Sequence, residues 1–256
     1  MSTALVTGAS SGIGQAFAER LAADGHDLIV VGRRKDRLEA LASSLPSVTV
    51  EVVVADLSTD EGIDAVAAVA ADRSPAVLVN SAGVAHYGPM ASLPAAKARE
   101  LVGVKVVAPT MLTRAALPGM RDRGEGTIIT VAGMLAFGGP APASPLARAI
   151  YTGTLAHLVA WTQTLHGELA GTGVTVHVVC PGIVATEFHS VQGMDLSAVP
   201  RMSASDVVTG ALAGIALGEV VSAPGLEDRT LLDAIFQADV AAFTAQSPTL
   251  ATRYRS

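Results

Sequence analysis

One cysteine, one tryptophan, three tyrosines and three lysines stand in a chain of 256 residues, and aromatic residues make up only 4% of it. The lone Cys180 excludes a disulfide framework and fits a reducing compartment. Basic side chains are outnumbered 17 to 23, and the formal charge is −6. A nucleic-acid partner needs a basic face, so none is expected. No clean apolar run is long enough to span a bilayer, so no membrane partner is expected either. The N-terminus leads straight into a strand, without the basic region, apolar run and cleavage site of a signal peptide. A cytoplasmic location follows as the expectation. No His, Cys and Asp cluster has metal-ligand spacing, and no metal is expected. What the chain does have is hydrophobic residues, 50% of the total, enough for one ordinary domain over residues 1–256.

Short apolar runs alternate with helix-like segments. Strands are read at Thr3–Thr7, Asp27–Val31, Val48–Ala55, Ala76–Asn80, Thr127–Val131 and Val174–Cys180. Helices are read at Ile13–Ala23, Arg34–Ser44, Asp60–Ala71, Lys97–Met120 and Tyr151–Ala170. Strands nearly continuous in Val, Ile and Leu are buried on both faces, as in a parallel sheet covered by helices. The alternation then gives an α/β fold, a doubly wound parallel sheet of about seven strands with right-handed crossovers. Phe137–Pro145, rich in Gly, Pro and Ala, reads as a surface loop.

The segment Thr7-Gly8-Ala9-Ser10-Ser11-Gly12-Ile13-Gly14 follows the first strand and opens the first helix. Glycines there let the backbone turn sharply and approach a pyrophosphate, and free N–H groups at the helix start favour the anion. Its TGxxxGxG spacing resembles that of the short-chain dehydrogenase/reductase family. Asn80-Ser81-Ala82-Gly83 is similar to that family's NNAG motif, and Pro181-Gly182-Ile183-Val184-Ala185-Thr186 to its PGxVxT segment. Asp56-Leu57 matches the acidic position that contacts adenine in relatives. The motifs fall in the family's order over nearly the whole chain.

The resemblance implies a Rossmann-type fold and a dinucleotide held by Gly8, Ser10, Ser11, Gly12, Ile13, Gly14, Asp56, Leu57, Asn80, Ala82, Gly83, Pro181, Gly182 and Thr186. Where NAD-users commonly carry an acid after the second strand, this chain has Gly32-Arg33-Arg34. No carboxylate repels a 2′-phosphate there and two guanidinium groups are available to pair with it, so NADP(H) is the expected cofactor. The alternative is that Arg33 and Arg34 are solvated, but a cation at a helix start opposes the dipole.

The family's chemistry uses a tyrosine, a lysine four residues later, a serine and an asparagine. Tyr151 occupies the tyrosine position. Leu155 stands where the lysine belongs, Gly133 where the serine belongs, and Lys105 where the asparagine belongs. A tyrosine near its reference pKa of about 10 is a poor base at neutral pH without a nearby cation. Losing an oxygen-orienting donor such as the serine lowers the rate by about 10²–10³. Lys105 either reaches toward the volume left at Leu155, as a relocated partner for Tyr151, or snorkels to solvent or pairs structurally.

The stretch near 187–202 takes the place of the family's substrate lid. Met134, Leu135, Phe137, Phe188, His189, Met194 and Leu196 imply a mostly apolar pocket and an apolar small-molecule substrate. Apolar faces on the fourth and fifth crossovers imply a homodimer or homotetramer. Three functions remain open: a carbonyl–alcohol oxidoreductase with a remodelled proton relay, a non-redox enzyme of the same fold, and an NADP-binding protein with little redox activity. Fold alone does not choose between them.

Overall fold

The Val, Ile and Leu runs become strands because β-branched side chains suit a pleated surface covered on both sides. The computed structural model describes residues 2–141 and 147–255. In chain order it contains β1 (Thr3–Thr7), α1 (Gly12–Ala23), β2 (Asp27–Gly32), α2 (Lys35–Ser44), β3 (Val50–Val54), α3 (Asp60–Arg73) and β4 (Val77–Asn80). There follow α4 (Ala95–Val102), α5 (Ala108–Arg123), β5 (Gly126–Val131), α6 (Ala149–Glu168), β6 (Val174–Val179), α7 (Ala204–Ala216), β7 (Val221–Ser222) and α8 (Thr230–Thr244). The seven strands make one parallel sheet in the order β3-β2-β1-β4-β5-β6-β7. The expected doubly wound architecture is present. Part of the loop read at Phe137–Pro145 lies outside the described residues.

Alternation along each strand feeds two cores. In β1, Ala4 and Val6 join Phe17, Leu21, Val207 and Ala211 from α1 and α7 on one face. Leu5 joins Ile63 and Val66 of α3, Leu112 and Met120 of α5, and Leu165 of α6 on the other. Removing a fully buried leucine such as Leu112 from such a layer costs about 2–5 kcal/mol. Strand order reverses between β1 and β4, and in sheets of this kind ligands bind at the carboxyl ends beside that point.

The helix read as Lys97–Met120 is interrupted. A π-turn, Gly103–Val107, joins α4 to α5, and it carries Lys105. The continuous stretch Ala95–Arg123 is long and apolar enough by length and composition to cross a membrane, contrary to the reading of the sequence. In the fold, Leu101, Leu112, Ala116 and Met120 of that stretch are buried. The chain divides into two compact units, Met1–Pro224 and Gly225–Ser256. The first holds the whole sheet and the groove described next. The second consists of α8 and a 3-10 turn, Thr252–Tyr254.

Candidate active site

A groove of about 770 Å³ opens over the carboxyl ends of β1, β4 and β5. Its floor is the loop between β1 and α1. Gly8 has φ +69°, and a Cβ there would lie 2.9 Å from the Ala82 backbone, so only glycine lets the two loops meet. Thr7 links the same loops: its hydroxyl accepts from the N–H groups of Ser81 and Ala82 at 3.0 Å each. Gly8, Ser10, Ser11, Gly12, Ile13, Gly14, Arg33, Arg34, Asp56, Leu57, Ala82, Gly83, Pro181, Gly182 and Thr186 all line the groove. Asn80 lies behind it, buried, donating to the Thr113 hydroxyl at 3.3 Å.

The two arginines part company. Arg33 faces Glu100 at 3.4 Å and Asp56 at 3.8 Å. Burial works against the Asp56 charge, but hydrogen bonds from Ser58 and the Arg33 guanidinium hold its carboxyl below the usual carboxylate range. Arg34 turns into the phosphate loop, donating to the Ser10 hydroxyl at 2.9 Å and the Ser11 hydroxyl at 2.7 Å. It also contacts Glu187, which in turn accepts from Arg37 at 2.8 Å. Burial opposes the charge on Glu187, yet hydrogen bonds from Arg37, Arg34 and Ser11 bring its pKa down to about 2. Arg37 and Glu187 were absent from the expected site. Arg37 lies three residues on from Arg34, in the first turn of the helix that Arg34 precedes, and that closeness in sequence was its signal. Glu187 had none, because 153 residues separate it from Arg34.

At the other end of the groove, Tyr151 stands in the first turn of α6, 7% exposed. Its ring meets Tyr87 edge-on at 5.5 Å and Phe188 at 6.3 Å. Burial, with a smaller contribution from Tyr87, pushes its phenol well above the usual tyrosine range. Leu155 lies one helical turn on and is 1% exposed. Gly133 follows β5 in extended backbone, and a Cβ on it would lie 3.4 Å from Leu155 Cδ1. Behind it Cys180 is fully buried; burial raises its thiol to about 12 despite a hydrogen bond from the Gly133 N–H.

Lys105 points inward from the π-turn, 4% exposed, and donates to the Val131 carbonyl at 3.3 Å. Burial lowers its ammonium to about 8. Snorkelling to solvent is therefore excluded. Lys105 and Tyr151 line the same groove, but no hydrogen bond joins them among the described residues. Met134, Leu135, Phe188, His189, Met194 and Leu196 line it as well; Phe137 does not.

A glycine cradle at a helix start, a guanidinium pair beside it and a phenol at the far end define a dinucleotide-binding domain of the doubly wound class. The chain belongs to the short chain dehydrogenase family, whose family model matches residues 2–195. It is similar to a short-chain dehydrogenase from Sphingobium yanoikuyae solved in complex with NADPH, 33% identical with a TM-score of 0.93 over 100% of both chains. It is similar too to the bulky-bulky ketone specific alcohol dehydrogenase from Comamonas testosteroni. That structure is 29% identical with a TM-score of 0.89, over 100% of this chain and 99% of that one. The very-long-chain 3-oxoacyl-CoA reductase of Emericella nidulans is 32% identical over 199 residues, 75% of this chain and 56% of that protein. The chain thus spans little more than half the length of that curated relative.

Proposed function

We propose that this chain is an NADP-dependent oxidoreductase that interconverts a carbonyl and an alcohol on an apolar small molecule, through a remodelled proton relay. The observation that carries the reading is one groove lined by the Gly8 cradle, Arg34 and the Tyr151 phenol, with Arg37 held beside Arg34 on the shared Glu187 carboxylate. The likeness to the NADPH-bound Sphingobium structure and to a bulky-ketone dehydrogenase supports it. The residues suit NADP(H): Gly8, Gly12 and Gly14 put no side chain into the loop that lines the groove, and Arg34 and Arg37 already hold a carboxylate. Gly8 to Gly14, Asp56, Leu57, Ala82, Gly83 and Thr186 would hold the dinucleotide, with Arg34 and Arg37 on its 2′-phosphate. When bound, the nicotinamide supplies or takes up a hydride.

Tyr151, neutral at physiological pH, donates a hydrogen bond and then its proton to the substrate oxygen. Lys105 provides the cation that Leu155 cannot, and its charge assists that transfer. Tyr87, Phe188 and Met194 exclude water and accept apolar substituents. The high phenol pKa favours reduction over alcohol oxidation, which needs the phenolate. The 187–202 stretch serves as the substrate lid, and residues 1–256 act as one functional domain in the cytoplasm. Exposed Val102 and Val107 on the α4–α5 stretch, and a depression lined by Trp161 and Leu165 beside α6, support a homodimer or homotetramer.

A second reading is favoured by one specific observation: Leu155 and Gly133 leave two acid–base positions without a polar side chain. It is a non-redox enzyme, or an NADP-binding protein with little redox activity. The test is titration with NADPH followed by turnover on a panel of bulky aryl ketones and 3-oxoacyl thioesters. No binding at millimolar NADPH overturns the proposal; binding with substrate conversion but no change in cofactor oxidation state moves it to the second reading.

A further inference from the structure

Glu187 follows the PGIVAT segment directly and opens the 187–202 stretch. Its two carboxylate oxygens are shared between Arg34 and Arg37, one on each, with the Arg37 contact at 2.8 Å. Arg34 meanwhile keeps hold of Ser10 and Ser11 on the phosphate loop. The carboxylate is therefore held by the same guanidinium pair and loop that offer a docking place to a tetrahedral dianion. Two anions cannot share that place: a phosphate brought against Arg34 and Arg37 stands beside a like charge unless Glu187 leaves. Its low pKa means that protonation does not remove the conflict at any physiological pH.

We propose that Glu187 is a specificity-determining residue, an internal competitor for the 2′-phosphate of NADP(H) whose displacement unties the first residues of the lid. This rests on the reading of the groove as an NADP(H) site. NAD(H) carries no such phosphate and binds with the Glu187–Arg34 contact intact. The competitor therefore weakens NADP(H) selectively, and only the phosphorylated cofactor couples binding to release of residues 187–192. Because the apparent affinity is reduced by the fraction of molecules in which Arg34 and Arg37 are free, removing the charge tightens binding by that same factor, on the order of tenfold.

The test compares wild type with Glu187→Gln, which keeps the shape and an acceptor oxygen, and with Glu187→Ala. Adenosine 2′,5′-bisphosphate and adenosine 5′-monophosphate serve as probes in calorimetry, beside NADPH and NADH. Both variants are expected to bind the bisphosphate and NADPH about tenfold more tightly than wild type, with the monophosphate and NADH unchanged. In wild type, amide exchange across residues 187–192 rises on adding the bisphosphate and not the monophosphate. If wild type binds the bisphosphate but the variants bind it no more tightly, or exchange across 187–192 falls, the competitor role is overturned and the NADP(H) reading stands. If no form binds the bisphosphate or NADPH, both fall together.

Discussion

The ammonium of Lys105 occupies the space a methyl group on Gly83 would need: an ideal Cβ there lies 2.8 Å from Nζ and 3.0 Å from Cε. A buried cation in an apolar stretch is thus accommodated by a glycine in the motif that follows β4. Gly83→Ala is expected to push the ammonium off the Val131 carbonyl and lower turnover at least tenfold. In a Lys105→Ala background the same change should cost nothing further, because the competing atoms are gone. The double-mutant cycle measured on kcat/KM checks the coupling; additive losses would break the link between the two residues.

Lys105 also leaves a signature in stability. Its folded pKa, about 8, lies below its ordinary value of 10.5. Between those values the unfolded chain binds a proton that the folded one does not, so stability rises with pH across this window and levels off above it. The full rise is about 3 kcal/mol. Calorimetric melting of wild type and Lys105→Met at pH 7 and pH 10 tests this: the variant should be the more stable at pH 7, and the gap should close at pH 10.

The activity profile follows from the same group with the opposite consequence. Ketone reduction should hold steady below pH 8 and fall as Lys105 loses its charge, while Tyr151 stays protonated throughout. Tyr151→Phe should lower the reduction rate by about 10²–10⁴ with NADPH affinity unchanged. Lys105→Met should give a low, flat profile. Stopped-flow reduction from pH 6 to pH 10 measures both, and full turnover in Lys105→Met would end the proposed role of this residue.

Gly133 and Leu155 invite reconstruction. The Gly133 backbone is extended, φ 164°, a conformation any residue adopts, and its Cβ would meet Leu155 only at contact distance. Gly133→Ser and Leu155→Lys, combined with Lys105→Asn so that two ammonium groups do not share the site, should raise carbonyl reduction about a hundredfold. The assay is NADPH oxidation on any ketone that wild type turns over slowly. A variant that binds NADPH as wild type does but reduces no faster would place the limit in the pocket and not in the relay.

Much of this was legible in the residues themselves. The strands announced themselves because Val, Ile and Leu in unbroken runs have few places to go but a sheet buried on both sides. The phosphate loop and the segments at Asn80 and Pro181 are local, so spacing sufficed. The π-turn was not legible: Gly103 weakens the helix locally, but a glycine alone does not specify an extra residue in the turn, which packing fixes, a Cβ on Gly103 lying 3.3 Å from the Ser58 carbonyl oxygen. Nor was β7, two residues long and defined only by its pairing with β6. The Arg34–Glu187 contact belongs to tertiary structure alone.

Cys180 gives the molecule a clock. It is fully buried at the end of β6, and its thiol at about 12 is protonated under any working condition. A thiol reagent therefore has one target, and reaches it only when the sheet beneath Gly133 opens. Under conditions where labelling outpaces reclosing, its rate reads the opening of the sheet behind Gly133 without any introduced probe.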